Sequence, residues 1–152
     1  MPAIEHKYPV KAHWTGGREG AGTLAPEASG KVISINVPPE FQGPGGETNP
    51  EELLTSAITG CYSITFGIVA ANRKLPVVEV NVEAEGTVEQ NGAAFKYREI
   101  VIKPTITLTA DATDEQLAMA ADMAHKCDAY CIVTNAVRAS FNVTVEPNVV
   151  RL

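Results

Sequence analysis

Apolar and polar positions change rhythm several times along the chain, and each change predicts a new element. From His6 to Trp14 they alternate loosely, which puts Tyr8, Val10, Ala12 and Trp14 on one face of a strand. The run Gly16-Gly17-Arg18-Glu19-Gly20 breaks that rhythm, and Ala21 to Leu24 is a short apolar return. Lys31 to Val37 combines alternation with β-branched residues and predicts a third strand, ended by Pro38-Pro39. Phe41 to Gly46 is rich in Gly and Pro and reads as a loop.

The period then becomes helical. Asn49 supplies an N-cap, Pro50 suits the first helical position, and Glu51 and Glu52 suit the positive end of a helix dipole. From Leu53 the pattern is apolar nearly all round: Leu54, Ala57, Ile58, Cys61, Ile64, Phe66, Ile68, Val69 and Ala70. A helix apolar on every face is a central, buried one, and in a chain this small part of it is expected to face another subunit. Basic residues and Pro76 end it near Asn72 to Lys74. Val77 to Glu89 and Phe95 to Thr109 both alternate, with a turn signal at Asn91-Gly92, and predict a long antiparallel hairpin. Pro104 reads as an edge or bulge position. Thr113-Asp-Glu-Gln116 is a capping-box pattern for a second helix, and Cys131 to Val137 either continues it or starts another. Phe141 to Val145 is a final strand, and the tail after Pro147 is expected to be loosely held. Strands gathered around helices without βαβ alternation give an α+β fold, with an antiparallel sheet packed on helices.

Composition narrows the class. The 152 residues suit one domain, spanning 1–152, and 45% apolar with 20% charged residues is a globular balance. The net charge of -6 argues against a general nucleic-acid or cationic membrane binder. No uninterrupted apolar run approaches 18 residues, so no transmembrane span is expected. Met1 to Lys11 has no apolar signal region, and the expected location is cytoplasmic.

Three cysteines, Cys61, Cys127 and Cys131, are too few and too odd in number for a disulfide scaffold. They are buried fillers, metal ligands or redox groups. Cys61 lies too deep in its helix for the dipole to activate it, so a reactive thiolate there needs an Arg or Lys from elsewhere. Arg18, flanked by glycines, is the natural candidate, though an exposed turn Arg has the same appearance. Glu51 either complements the dipole or holds an Arg by a bidentate pair. His125, Cys127, Cys131 and Cys61 could supply four zinc ligands, but their spacing is irregular for a structural zinc site. Cys127 and Cys131 stand four apart, a helical spacing that suits a direct disulfide poorly.

Together these residues resemble the OsmC/Ohr family, the osmotically inducible and organic-hydroperoxide-resistance proteins. Gly16-Gly17-Arg18-Glu19-Gly20 resembles the family's Gly-Gly-Arg-Asp-Gly turn. Thr48-Asn49-Pro50-Glu51-Glu52-Leu53 resembles its Thr-Asn-Pro-Glu-x-Leu segment, and Cys61 follows ten residues after Glu51, as the family's peroxidatic cysteine does. Cys131-Ile132-Val133-Thr134-Asn135-Ala136 resembles the Cys-Pro-x-Ser-x-Ala segment of the second cysteine, with Ile132 in place of Pro and Thr134 as its hydroxyl. Cys127 is extra to the pattern.

The resemblance implies antiparallel sheets wrapped around two central helices in an intertwined homodimer. It also implies a cysteine-based peroxidase that reduces organic hydroperoxides to alcohols. Cys61 would be peroxidatic, Cys131 its disulfide partner, and Arg18 with Glu51 the activating pair. A lipoyl group or similar dithiol would be the reductant, and no cofactor or metal is needed. The alternative is an OsmC-like dimer with little turnover that binds small apolar molecules. On one helix Glu51 and Cys61 are separated by roughly 15 Å of rise and about 80° of rotation. Glu51, with Arg18 docked on it, is therefore expected to serve Cys61 of a partner chain whose helix runs antiparallel.

Overall fold

Local chemistry decides where each element begins, and the computed structural model, which describes residues 1–152, follows it closely at the helix starts. The polypeptide forms two compact units, Met1–Leu53 and Leu54–Leu152.

In the first unit, β1 (Val10–Thr15), β2 (Ala21–Pro26) and β3 (Ile33–Ile35) form an antiparallel sheet in that order. The glycine-rich turn joins β1 to β2. Gly16 sits at φ 90°, a left-handed conformation that side chains disfavour, and a Cβ on Gly20 would collide with the carbonyls of Thr15 and Gly17. Every residue of β1 is exposed, so the alternation from His6 marks a strand without a core face, and residues before Val10 lie outside it. The third strand is shorter than its apolar run because Asn36 leaves the ladder. Its N–H donates to Thr48 O at 3.1 Å and its side-chain amide to Gly45 O at 2.6 Å, which folds the Gly/Pro loop back on the strand. A 3₁₀ turn at Pro39–Phe41 interrupts that loop. Asn49 caps α1 (Pro50–Asn72) by accepting from Glu52 N at 2.9 Å.

In the second unit α1 lays Ile58, Tyr62, Phe66 and Ala70, all buried, into the core at helical spacing. Each large apolar side chain buried this way contributes about 1.5–3 kcal/mol. The opposite face is not covered by the chain: Ile64 is 66% and Ile68 57% exposed. An apolar pattern on every face thus reflects one core face and one open face, rather than a helix enclosed by its own chain. An 18-residue window of α1 has a mean hydropathy of 1.6, enough to cross a membrane by length and composition alone, although α1 contains no uninterrupted apolar run of that length. Interspersed Thr, Ser and Gly break up any such run without lowering the average enough to exclude a crossing. Its core stripe packs on the chain's own hairpin. Lys74, left-handed at φ 54°, ends the helix, and Leu75 N–H closes the last turn on Ala70 O at 3.0 Å.

The hairpin pairs β4 (Val77–Asn91) with β5 (Ala94–Leu108) through a two-residue turn at Gly92 and Ala93, one position later than the Asn-Gly signal. Along β5, Ile100, Ile102, Pro104, Ile106 and Leu108 are buried at period two. β5 is a central strand. On its far side β6 (Asn142–Val145) pairs with Glu99 to Ile102 and β7 (Asn148–Arg151) with Thr105 to Leu108, both in parallel. The sheet is therefore mixed, and the tail after Pro147, expected to be loose, is a strand. Pro104 lies neither at an edge nor at a bulge. It falls in the gap between the β6 and β7 ladders, where its missing N–H leaves no partner unpaired. α2 (Asp114–Lys126) starts with a complete Thr113–Gln116 capping box. Arg151 of β7 donates to Ala112 O at 2.7 Å and pairs with Asp114, which ties the tail to the start of α2. After α2 the helical pattern breaks into a 3₁₀ turn (Cys127–Tyr130). A separate short helix, α3 (Ile132–Val137), follows, with Cys131 extended between them.

Candidate active site

Cys61 sits in the middle of α1, at the margin between its core stripe and its open face, and is half-buried. Cys131 is fully buried and is the N-cap of α3. The two are joined by a disulfide across 70 residues of sequence, with Cα atoms 5.8 Å apart, a separation typical of native disulfides. The fold thus brings together the central helix and the α2–α3 connection at one sulfur pair.

The segment carrying Cys131 is held by polar contacts on both sides. Cys131 N–H donates to Asp128 O at 3.0 Å, and Thr134 N–H donates to Cys131 Sγ at 3.4 Å. The side chain of Asn135 donates to Ala129 O at 2.8 Å. Arg138 reaches back to both the backbone and the carboxylate of Asp128, at 3.1 and 3.2 Å. Sequence reasoning singled out Thr134 as the hydroxyl of this segment but missed Asn135 and Arg138 as functional neighbours. The signal for Thr134 is the Cys-x-x-Thr spacing, which places a hydroxyl at the third helical position behind a cysteine cap.

Beside the disulfide a groove of about 750 Å³ opens along the uncovered face of α1. Cys61, Ile64, Ile68, Val69, Tyr130 and Ile132 line it. Such a groove has the size and apolar character of a small-molecule site.

Cys127 is the free cysteine and is buried. Burial pushes its thiol up to about 11; the Tyr62 hydroxyl opposes that shift and the Asp128 carboxylate adds to it. Burial, and after it Cys127, likewise raises the Tyr62 phenol above its usual range. Tyr62 spends its proton on Ala124 O at 2.8 Å. A buried thiol held neutral in this way is a poor nucleophile. With Cys61 and Cys131 bonded to each other, the four-ligand set with His125 and Cys127 is not assembled. No group of three or more His, Cys, Asp or Glu side chains is placed to hold a metal.

Arg18 and Glu51 belong to the first unit. Arg18 is exposed at the glycine-rich turn, and its Nη1 donates to Gln42 Oε1 at 3.3 Å. Its neighbour Glu19 accepts from the turn, where its own backbone amide and that of Gly17 hold the carboxyl below its ordinary range. Glu51 is half-buried in the first turn of α1.

A half-buried helical cysteine bonded to a capping cysteine, over a mixed α+β sheet, defines a class of two-cysteine α+β proteins. The OsmC-like protein family matches residues 43–146, and the chain belongs to that family. It is similar to an uncharacterized protein, YmaD, of Bacillus subtilis (strain 168), with 31% identity over 145 residues and 95% of each chain covered. It is 25% identical over 153 residues to an organic hydroperoxide resistance protein-like protein of Staphylococcus aureus (strain USA300), with 94% of this chain and 96% of that one covered. Among solved structures, an organic hydroperoxide resistance protein OsmC from Legionella pneumophila has the same fold. The TM-score is 0.75 at 22% identity, with 99% of this chain and 100% of that chain covered.

Proposed function

We propose that the protein is a thiol-dependent peroxidase that reduces organic hydroperoxides to alcohols. The observation that carries this reading is the Cys61–Cys131 disulfide, of which Cys61 lies in the wall of an apolar groove while Cys131 is buried behind it. The Cys61 thiolate attacks the distal oxygen of the hydroperoxide. The O–O bond breaks, the alkoxide takes a proton and leaves as alcohol, and Cys61 becomes a sulfenic acid. Cys131 condenses with it, releasing water and forming the disulfide. A dithiol, of lipoyl type or similar, returns both cysteines to thiols. Relatives named for organic hydroperoxide resistance support a hydroperoxide role, and the groove supports a substrate with an apolar tail.

In this reading Arg18 favours the Cys61 thiolate and the charge on the departing oxygen, while Glu51 holds the guanidinium. Residues 1–152 act as one OsmC-like domain within a homodimer. The exposed apolar face of α1, with Ile132 beside it, supports association with a second copy. Antiparallel central helices would set the start of one beside the middle of the other, so that Arg18 and Glu51 of one protomer serve Cys61 of its partner. The site is soluble and cytoplasmic, with no nucleic acid or membrane as partner.

The test is turnover of an alkyl hydroperoxide, with dihydrolipoamide as reductant, against hydrogen peroxide. The expected result is turnover that strongly favours the alkyl substrate, because each Å² of tail buried gains about 25 cal/mol. Binding of alkyl compounds without turnover would support the alternative, an OsmC-like dimer that only holds small apolar molecules.

A further inference from the structure

We propose that Thr134 is a positioning residue for Cys131 in the reductive half of the cycle. Its backbone N–H and its hydroxyl together hold the sulfur that leaves as a thiolate. The inference rests on the two-cysteine reading above.

Three observations carry it. Thr134 has no exposed surface. Its N–H already points at Cys131 Sγ from 3.4 Å. Its Oγ1 is buried and has no hydrogen-bond partner. A buried hydroxyl without a partner carries a desolvation cost, which Val in the same space would avoid. The backbone groups of the capping residue are already engaged: Cys131 N–H donates to Asp128 O and Cys131 O accepts from Asn135 N–H, each at 3.0 Å. Thr134 is the third residue of α3 and Cys131 its cap, the spacing at which a side chain reaches back toward the cap. The acceptor that changes between redox states is the Cys131 sulfur. In the disulfide it is a weak acceptor, and once released it is a thiolate that an O–H donor satisfies.

Exposure assigns the order of events. Cys131 has no exposed surface, while Cys61 lines the groove. A thiolate of the external dithiol therefore attacks Cys61 Sγ. The S–S bond breaks, its electron pair passes to Cys131, and a mixed disulfide remains on Cys61. The second thiol of the reductant then attacks its own sulfur in that mixed disulfide and releases Cys61 as a thiolate. The reductant leaves as its internal disulfide, two electrons have passed, and the proton of its second thiol ends on Cys131. A leaving thiol of lower pKa leaves faster, and two donors on the departing sulfur lower its pKa.

The test compares wild type with Thr134→Val, Thr134→Ala and Thr134→Ser. Thiolate absorbance near 240 nm reports Cys131 ionisation when Cys61 and Cys127 are both replaced by Ser. Loss of the hydroxyl in Val or Ala is expected to raise the Cys131 pKa by about one, and Ser to restore it. Reduction of the preformed disulfide by dihydrolipoamide, in proteins that keep all three cysteines, is expected to slow about three-fold in Val and recover in Ser. The oxidised Val protein should melt no lower than wild type, because it sheds an unpaired hydroxyl. An unchanged Cys131 pKa and reduction rate in both Val and Ala would overturn the proposal, and using two variants guards against one that fails to fold. Failure of wild type to consume hydroperoxide would instead overturn the peroxidase reading, which the ionisation measurement does not touch.

Discussion

In the oxidised protein Cys127 is the free thiol, and its environment predicts that it is nearly inert. With its thiol pushed up to about 11 from an ordinary value of 9.0, the thiolate fraction at pH 8 falls from about one part in ten to about one in a thousand. Because the thiolate is the reacting species, alkylation by iodoacetamide should be roughly 100-fold slower in the folded than in the unfolded protein, before lost access is counted. The assay is mass-spectrometric labelling of oxidised protein at pH 8, native and in denaturant, with the disulfide intact in both. The same shift has a signature in stability. A pKa raised by folding leaves stability untouched while both states hold the proton. As the pH climbs from about 9 through 11 the unfolded chain releases its proton and the folded one keeps it, so stability falls. Tyr62 adds a slope of the same sign above its ordinary 10.0. Equal labelling rates in the native and unfolded protein would refute this account of Cys127 as a buried bystander.

Cys127→Ser should correspondingly leave peroxide turnover close to wild type in a steady-state assay. Cys131→Ser should react once with hydroperoxide and then stall, with a sulfenate-specific reagent labelling Cys61. Tyr62→Phe removes the hydrogen bond to Ala124 O and should cost about 1–2 kcal/mol, read as a lowered urea midpoint in the oxidised protein; an unchanged midpoint would mean that the bond contributes nothing net. Mixing Arg18→Ala and Cys61→Ser chains under exchange conditions should restore one working site per heterodimer, and no recovery despite proven exchange would exclude shared sites.

What the sequence made legible was local. Asn49 with Pro50 and the Thr113–Gln116 box carry their partners within three residues, so both helix starts could be read directly. The β4–β5 hairpin was legible for the same reason: its alternation and its turn are contiguous. The parallel pairing of β6 and β7 with β5 was not, because the partners of Asn148 to Arg151 lie some forty residues upstream. Pro104 misled because its position was judged without knowing that two short strands share one side of β5. For α1, composition gave apolarity on every side but could not tell which face the chain itself covers. At the site, the family's spacing singled out Cys61 and Cys131. Thr134 was legible there as the hydroxyl of the Cys131 segment, but its burial and its missing hydrogen-bond partner were not, because no pattern of residue types displays them.

The most direct test of the central claim is hydroperoxide consumption by wild type and Cys61→Ser side by side. Both would be given cumene hydroperoxide and dihydrolipoamide, with folding checked by thermal unfolding. The account predicts multiple turnovers by wild type and none by the variant. A Cys61→Ser protein that keeps most of the wild-type rate would contradict it.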